Sequence, residues 1–451
     1  MPSTRAAAVA GHFYPADAAT LREQVARCLE QADTDDERER PPKLLVVPHA
    51  GYVYSGEIAA QAYALLARWR ECITRVVLLG PVHRVPVRGL AAPTVAAFQT
   101  PLGRVPIDRA ALADLRDLPQ VVRDDFAHAP EHSLEVQLPF LQSVLADFAL
   151  LPLAVGDASP DEVAAVLERV WGGDETLIVI SSDLSHYLPY AQAQLRDGQT
   201  VQRMLRLDTT LGTHDACGAL ALNGALLAAQ HHGLVAQLLD VRNSGDTAGD
   251  PARVVGYAAL AFDTPSTDTA ALGEALLAAA RNAIGRVLQC TEVPEPTHAA
   301  LARPGACFVT LHDAAGELRG CKGRIDPERS LLEDARANAE SAAFDDARFA
   351  PLTCDDWAGL TLEVSVLGAL RPLRVHREAE ALRALRPGVD GLVLDWGEHR
   401  ATLLPQVWQQ LPTPREFLQA LKHKAGLARD FWAPDVRLMR FTVRRFEEPK
   451  A

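Results

Sequence analysis

Short apolar runs alternate with amphipathic, helix-like stretches through the first half of the chain. Residues 44–47, 76–79 and 177–180 are uninterrupted runs of valine, isoleucine and leucine, which are typical of strands buried on both faces of a parallel sheet. The stretch EIAAQAYALLARW follows the first run, and we predict that its helix starts at Ser55. This alternation predicts an α/β domain with a mixed or parallel sheet flanked by helices.

The pattern changes near residue 264. The segment TPSTDTA is small and polar, as linkers often are, and the strands beyond it are grouped in hairpins without regular helix crossovers. One such hairpin is predicted around residues 313–317. We therefore predict an α/β domain at residues 1–263, a linker at 264–271 and an α+β domain at 272–451.

Polar side chains follow all three apolar runs at the point where each run ends. His49 follows the first run, His83 the second, and Asp183 and His186 the third. Ligands of open α/β sheets bind outside the carboxyl ends of the strands, so neighbouring strands would bring these side chains to one edge. There they would be within reach for metal binding or acid/base chemistry. Each histidine taken alone is explained more simply as a hydrogen-bonded loop residue.

A further histidine, His132, directly precedes a predicted helix. Ser133 is its expected N-cap. The apolar face of this helix is formed by leucines at helical spacing: Leu134, Leu138, Leu141 and Leu145. A helix start can bind an anion or position a side chain over a cleft, so His132 is a candidate site residue. The alternative is a capping or loop role.

Cys217 lies at the start of a long helix-like run of small residues. The helix dipole and the free N–H groups at such a position favour a thiolate, which can bind a metal or attack an electrophile. The alternative is a cysteine that simply packs in an alanine-rich helix.

Composition restricts the classes of function. The chain has 451 residues, enough for two or three domains, and its net charge of −13 disfavours nucleic-acid binding. Its beginning lacks an apolar secretory segment, and the run GALALNGALLAA is too short to span a bilayer, so we expect a cytoplasmic protein without membrane contact. The seven scattered cysteines include no CxxC pair, which predicts reduced thiols. There is also no Walker loop and no GxGxxG fingerprint.

The first half resembles the Memo family, whose fold is similar to that of the LigB-type class III extradiol dioxygenases. The resemblance rests on GHFYPAD, PHAGYVYSG, LLGPVHRVP, EHSLEVQLPF, ISSDLSH and CGALALNGAL, in family order across nearly all of the first domain. It implies that His49, His83 and Cys217 form a metal cluster and that Asp183 and His186 line the same pocket. The dioxygenases ligate non-haem iron with two histidines and a carboxylate. A cysteine in place of that carboxylate implies a different metal preference and redox behaviour.

The second half resembles the AMMECR family over roughly residues 272–447. Its hallmark is LRGCKG at residues 318–323, supported by ATLLPQVW, PREFLQAL and KHKAGL. Lys322 stands where the family has an apolar residue, and a cation beside Cys321 is expected to lower the thiol pKa and make a nucleophile. The alternative for Cys321 is a hairpin thiol held by close glycine packing.

The fusion resembles the bacterial AmmeMemoRadiSam system, in which Memo-like and AMMECR-like proteins accompany a radical SAM enzyme. It implies a radical SAM partner in a shared pathway. We predict an Fe(II)-dependent oxidoreductase, with copper or zinc as alternative metals, that acts on a small organic molecule. His132, Asp183 and His186 would orient the substrate or move protons, and Cys321 would act in the second domain beside Arg319.

Two other functions fit the same residues. Replacement of the dioxygenase carboxylate by Cys217 favours a vestigial pocket that binds a peptide or a small ligand without turnover. The histidines and Asp183 around zinc would instead suit hydrolysis, which needs neither oxygen nor a redox metal. Ligand binding that survives chelation and His83→Ala would favour the binding module, whereas an oxygen-dependent product would exclude it.

Overall fold

The structure is a computed structural model that describes five ranges of the chain: residues 3–32, 38–264, 266–290, 292–295 and 297–448. They form two compact units. The first unit contains the residues up to Thr264 and two short later segments, 385–389 and 408–416, and the second contains the remainder. Across these ranges, no helix combines the length and the apolar character that a membrane crossing requires.

The first unit consists of short strands alternating with helices. Its strands are β1 (Thr4–Arg5), β2 (Leu44–Val47), β3 (Arg75–Pro81), β4 (Leu90–Ala92), β5 (Ala97–Thr100), β6 (Gly103–Pro106), β7 (Val121–Arg123), β8 (Ala149–Val155), β9 (Thr176–Ser181), β10 (His186–Leu188), β11 (Val235–Asn243) and β12 (Val254–Asp263). Its helices are α1 (Ala18–Glu30), α2 (Tyr52–Tyr63), α3 (Arg109–Asp114), α4 (Asp125–His128), α5 (Leu138–Val144), α6 (Pro160–Arg169), α7 (Tyr190–Leu205) and α8 (Ala219–His231).

A nine-stranded mixed sheet forms the centre of the first unit, in the order β10-β12-β2-β9-β3-β8-β4-β7, with β11 paired to β12. Strands β2, β9, β3 and β8 run parallel. Side chains alternate between the two faces, so Leu45 and Val47 join one buried cluster while Leu44 and Val46 join another. The predicted α/β domain, a mixed sheet flanked by helices, is therefore confirmed.

The strand order brings the predicted site loops together. Strand β9 lies directly between β2 and β3, and all three run in the same direction. The loops that follow Val47, Pro81 and Ser181 therefore leave one edge of the sheet side by side. The predicted convergence of the polar side chains required these three strands to be neighbours.

Two helix starts differ from prediction. Helix α2 begins at Tyr52, with Gly51 as N-cap, so Ser55 lies inside the first turn and its hydroxyl donates to the Ala50 carbonyl at 3.0 Å. Ser133 is not an N-cap, because its hydroxyl donates to the Pro81 carbonyl at 2.9 Å. A 3-10 turn at Glu135–Gln137 leads into α5 instead. The four leucines of this segment are buried as predicted: Leu134, Leu138, Leu141 and Leu145.

The second unit combines antiparallel strands with helices. Its strands are β13 (Cys307–His312), β14 (Leu318–Gly323), β15 (Thr361–Leu367), β16 (Arg371–Leu373), β17 (Gly391–Trp396), β18 (His399–Leu403), β19 (Arg437–Phe441) and β20 (Val443–Glu447). The helices assigned after Thr264 are α9 (Thr267–Leu288), α10 (Leu331–Phe344), α11 (Glu378–Ala384) and α12 (Pro414–Lys424). The strands form two four-stranded sheets in the orders β14-β13-β15-β20 and β16-β19-β17-β18.

The α+β class predicted for the second half is confirmed. Helices α9 and α10 pack on the first sheet through a shared apolar cluster that includes Ile284, Ala339 and Val309. The predicted hairpin is the β13-β14 pair. Helix α9 begins at Thr267, inside the predicted linker, and residue 265 of that linker lies outside the described residues.

Candidate metal centre

Three imidazole rings lie together beyond the carboxyl ends of the central strands. His49 follows β2, His83 follows β3, and His132 lies between α4 and α5. One nitrogen of each ring lies within 4.8 Å of the others, and the rings of His83 and His132 stack with their centroids 4.7 Å apart. Three imidazoles at this spacing can hold one metal ion.

Hydrogen bonds at the far side of the ring determine which nitrogen His49 offers. The Ser181 hydroxyl donates its proton to the Ser133 carbonyl at 2.7 Å, so Ser181 Oγ acts as an acceptor towards His49 Nδ1 at 2.9 Å. His49 therefore carries its proton on Nδ1, which leaves the Nε2 lone pair free for a metal. Burial and the neighbouring His83 lower the pKa of His49 to about 3, so the ring is neutral.

Glu131 plays the same orienting part for His83. Its carboxylate accepts His83 Nδ1–H at 2.9 Å and the His83 backbone N–H at 2.6 Å, and it also accepts the backbone N–H groups of His132 and Ser133. Burial alone would raise the pKa of Glu131, but the hydrogen bonds and the charge of His83 bring it down to about 2. An ionised carboxylate on one imidazole nitrogen orients the ring and increases the basicity of the other nitrogen.

His132 belongs to the same group of rings. Its Nδ1 lies 3.3 Å from Glu131 Oε1, and its ring meets that of His49 edge on, with the centroids 5.4 Å apart. Burial, followed by His49, lowers the pKa of His132 to about 4. From sequence we gave His132 a role in substrate orientation, and the structure places it as a third potential metal ligand.

Cys217 also reaches the centre, from the loop before α8. Its Sγ lies 3.3 Å from His49 Nε2, and the Asp183 backbone N–H donates to it at 3.3 Å. Burial, followed by the Asp183 charge, raises the pKa of the Cys217 thiol to about 12. The prediction that a helix start favours the thiolate form of Cys217 is therefore wrong. Helix α8 begins only at Ala219, and desolvation of the sulfur favours the thiol. Metal ligation by Cys217 stays a prediction.

Asp183 and His186 complete the edge. Asp183 Oδ1 accepts the His49 backbone N–H at 2.7 Å, and burial raises the pKa of this carboxyl. His186 is exposed at the start of β10, and its Nδ1 donates to the Leu184 carbonyl at 2.9 Å, so its Nε2 is free. His186 lies three residues after Asp183, on β10, which pairs with β12. Five of the six site residues predicted in the first domain, all except His186, thus lie close together beyond the carboxyl ends of the central strands.

Sequence reasoning missed the residues that support these rings. Glu131, Ser181 and Gln137 are buried polar residues, and Gln137 Nε2 donates to the same Ser181 hydroxyl at 2.8 Å. Arg5 holds the loop before His132, because its guanidinium donates to the Glu131 carbonyl at 2.5 Å. The available signal was the acidic residue beside His132 in EHSLEVQLPF, whereas nothing local distinguished Ser181 or Arg5.

Cys321 lies in the second unit, on β14. The Thr310 hydroxyl donates to its sulfur at 3.4 Å, and burial raises the pKa of the thiol. The predicted lowering of this pKa by Lys322 is therefore wrong, because adjacent residues of a strand point to opposite faces of the sheet. Arg319, two residues before Cys321 on β14, lies 3.5 Å from the Asp356 carboxylate through its Nη2.

Comparisons with known proteins match two regions of the chain to two families. The Memo-like protein family model matches residues 5–261, and the AMMECR1 family model matches residues 277–446. A MEMO1 family protein of Methanopyrus kandleri is 38% identical over 285 residues, covering 57% of this chain and 98% of that protein. One from Aquifex aeolicus is 35% identical over 274 residues, with 57% and 98% covered.

A solved structure is also similar, that of an uncharacterised protein from Pyrococcus horikoshii. It is 34% identical, with a TM-score of 0.36, and the match covers 39% of this chain and 91% of that one. The family model that spans residues 5–261 covers more than half of the chain, and the relatives are matched over nearly their whole length. The chain belongs to the Memo family and carries an AMMECR1 region after its Memo region.

Proposed function

We propose that the first unit is a metal-dependent oxidoreductase that uses iron to oxidise a small organic molecule. The observation that carries this proposal is the group of three imidazoles with one nitrogen of each within 4.8 Å of the others, at the carboxyl edge of the central strands. Membership of the Memo family and its LigB-like fold support a metal-dependent role.

The donor set suits a transition metal. His49 and His83 each present a free Nε2, and either His132 or Cys217 provides the third ligand. Imidazole suits iron, copper and zinc, while a thiolate shifts the preference towards softer ions. When bound, iron would supply Lewis acidity and one-electron redox chemistry.

The remaining polar residues would handle protons and substrate. Asp183 is buried against His49, where it can hold a proton beside the reacting atoms, and His186 at the exposed rim can pass one to solvent. Tyr187 follows His186 with 61% of its surface exposed, and the Arg253 guanidinium lies 4.7 Å from its ring centroid. An aromatic and a cationic group at this rim would favour a substrate with a flat or anionic part.

Hydrolysis at zinc is the second candidate. Three histidines around one position form a ligand set that catalytic zinc sites use, with the fourth position left for water. That set would consist of His49, His83 and His132, and Cys217 would then lie outside the ligand sphere. The two candidates differ in their need for oxygen.

The AMMECR1 region supports a wider role for the chain. We propose that both units act on the same compound and that a radical SAM enzyme works in the same pathway. Copurification of such an enzyme with the tagged chain from a bacterium that encodes both would support this partner. If repeated purifications recover no radical SAM enzyme, that result would count against this partner.

Metal analysis after anaerobic purification tests the proposed function. We expect near-stoichiometric iron in the natural protein, loss of iron in His49→Ala and in His83→Ala, and retention in His214→Ala, which changes an exposed histidine of the same unit. Separate His132→Ala and Cys217→Ala variants identify the third ligand.

The outcomes separate the candidates. Stoichiometric zinc with turnover that continues without oxygen would replace the first candidate by the second. Absence of any metal after anaerobic reconstitution would overturn both and favour a binding module without turnover.

A further inference from the structure

Two cysteines of the second unit meet at the end of helix α9. Cys290 follows the helix, and Cys354 lies in the loop after α10. Both sulfurs approach the same atom: Cys354 Sγ lies 3.4 Å from the Leu288 carbonyl oxygen, and Cys290 Sγ lies 3.8 Å from it. Because both sulfurs approach one oxygen, they lie at most about 7 Å apart. Burial raises the pKa of the Cys290 thiol, and the neighbouring Cys354 thiol raises it further.

The backbone on both sides of this pair is held in place. Helix α9 ends at Leu288, Gln289 adopts a left-handed conformation with φ of 56°, and the Cys290 N–H donates to the Gly285 carbonyl at 2.9 Å. On the other side, the Thr353 N–H donates to the Asp356 carboxylate at 2.9 Å and closes a turn around Cys354. The fold therefore holds the two thiols near each other.

The pair is also open to reagents. Cys354 is exposed and Cys290 is partly exposed, in contrast to the buried Cys28 and Cys307. A thiol must be accessible to be oxidised, and a neighbouring second thiol can capture the first oxidation product. A role limited to donating a hydrogen bond to the last helix carbonyl, which lacks an N–H partner, would need only one of the two thiols.

We propose that Cys290 and Cys354 form a reversible disulfide, which makes this pair an oxidative modification site of the second unit. With hydrogen peroxide as oxidant, the Cys354 thiolate attacks one peroxide oxygen and becomes a sulfenic acid, and water leaves. The Cys290 thiolate then attacks that sulfur, forms the S–S bond and releases a second water. Two thiols lose two protons and two electrons, and peroxide gains them. A dithiol reverses the step by exchange.

The bond would act on a loop that contacts the strand of Cys321. Asp356 lies two residues beyond Cys354, and its carboxylate is 3.5 Å from Arg319 on β14. Arg319 also donates to the Pro351 carbonyl of the same loop at 3.5 Å. Oxidation would therefore tie the end of α9 to the segment that positions Arg319, and it would restrict the unfolded chain between residues 290 and 354.

Treatment of the reduced full-length protein with stoichiometric hydrogen peroxide tests the proposal. After alkylation, we expect the oxidised protein to carry two fewer alkyl groups than the reduced protein and a digest to contain a peptide pair linked through Cys290 and Cys354, both reversed by dithiothreitol. The linked protein should unfold at a higher temperature than the reduced protein. Cys354→Ser should abolish the linked pair and the shift.

Cys72→Ser is the matched control, because Cys72 is also exposed and its thiol donates to the Asp174 carbonyl at 3.7 Å, far along the chain from Cys290 and Cys354. This variant should form the disulfide as the natural protein does. Sulfinic acid at Cys354 with free Cys290, or a disulfide between two copies of the chain, would overturn the proposal. Cys290→Ser provides a second route, since it should leave Cys354 trapped as a sulfenic acid that dimedone labels.

Discussion

The ring of His83 depends on one buried carboxylate. Glu131 is 1% exposed, yet it stays ionised because the Nδ1–H of His83 and three backbone N–H groups donate to it. The His49 ring depends in the same way on the Ser181 hydroxyl. These contacts select the tautomers that leave Nε2 of both rings facing the centre, so metal affinity is expected to reside partly in residues that never touch the metal.

Glu131→Gln should weaken metal binding by about 10- to 100-fold, because an amide cannot orient His83 and raise its basicity as a carboxylate does. Competition against a chromophoric chelator measures the affinity, and circular dichroism checks that the variant is folded. Glu71→Gln, at a side chain that is 80% exposed, is the control and should bind as the natural protein does. An unchanged affinity in folded Glu131→Gln would contradict the assigned role.

Asp197 should make stability depend on pH. Burial raises the pKa of this carboxyl, which accepts the Ser185 N–H at 3.0 Å, from 3.8 to about 7. Between about pH 4 and pH 7 the folded state keeps a proton that the unfolded state has lost, so stability falls as the pH rises through this window. The total loss is up to roughly 4 kcal/mol and is complete above pH 7.

Urea unfolding at several pH values checks this expectation. Asp197→Asn cannot ionise, so its stability relative to the natural protein should increase from pH 5 to pH 8. Parallel pH profiles for the two proteins would show that Asp197 does not titrate in this range.

At the scale of elements, one glycine sets the contact between α6 and α8. A Cβ atom added at Gly224 in α8 would lie 2.3 Å from Val163 Cβ and 3.0 Å from the Pro160 carbonyl oxygen, both in α6. Gly198 in α7 is also within a helix, but a Cβ there would have no atom within 4 Å. Substituting alanine at each position therefore distinguishes the effect of helix propensity from the effect of packing.

Gly224→Ala should destabilise the protein by about 1–3 kcal/mol, because overpacking outweighs the gain in helix propensity. Gly198→Ala should stabilise it by about 0.5–1 kcal/mol, since only the propensity term remains. Chemical unfolding of both variants measures the difference. Equal changes in the two variants would mean that α6 and α8 move apart without cost.

At the scale of the whole molecule, the chain joins a Memo region to an AMMECR1 region, and the described residues form two units with separate apolar clusters. Each unit has a candidate chemistry of its own: a metal centre in the first, and cysteine chemistry in the second. Ligands that bind one unit should therefore stabilise that unit.

Bound metal should raise the thermal stability of the protein. At a free metal concentration of 100 times Kd, binding to the folded state alone adds about 2.7 kcal/mol. For a unit of this size, that corresponds to an increase of roughly 5–10 °C in the unfolding temperature. Anaerobic scanning calorimetry with Fe(II) should show the increase in the natural protein and not in His49→Ala. A similar increase in both proteins would point to binding elsewhere.

Much of the fold could be predicted from local pattern. The apolar runs ending before His49, His83 and Asp183 are buried strands, because a segment without polar positions can only be stable between two covered faces. Helix starts were less predictable. Ser55 and Ser133 have the right residue type for an N-cap. The Ser55 hydroxyl instead donates to the Ala50 carbonyl just before α2, and the Ser133 hydroxyl donates to the Pro81 carbonyl, which tertiary packing brings near.

The sequence by itself determined the class of both halves, the strand ends that carry the polar residues, and the family resemblance that pointed to a metal. Only the tertiary structure decided that His132 joins His49 and His83, that Glu131 and Ser181 select the ring nitrogens, and that Cys217 and Cys321 are partly buried thiols with raised pKa values. The physical reason is that periodicity is a local property of the chain. Ligand distances, desolvation and hydrogen-bond partners arise between residues far apart in sequence, and they exist only once the strands take their order in the sheet.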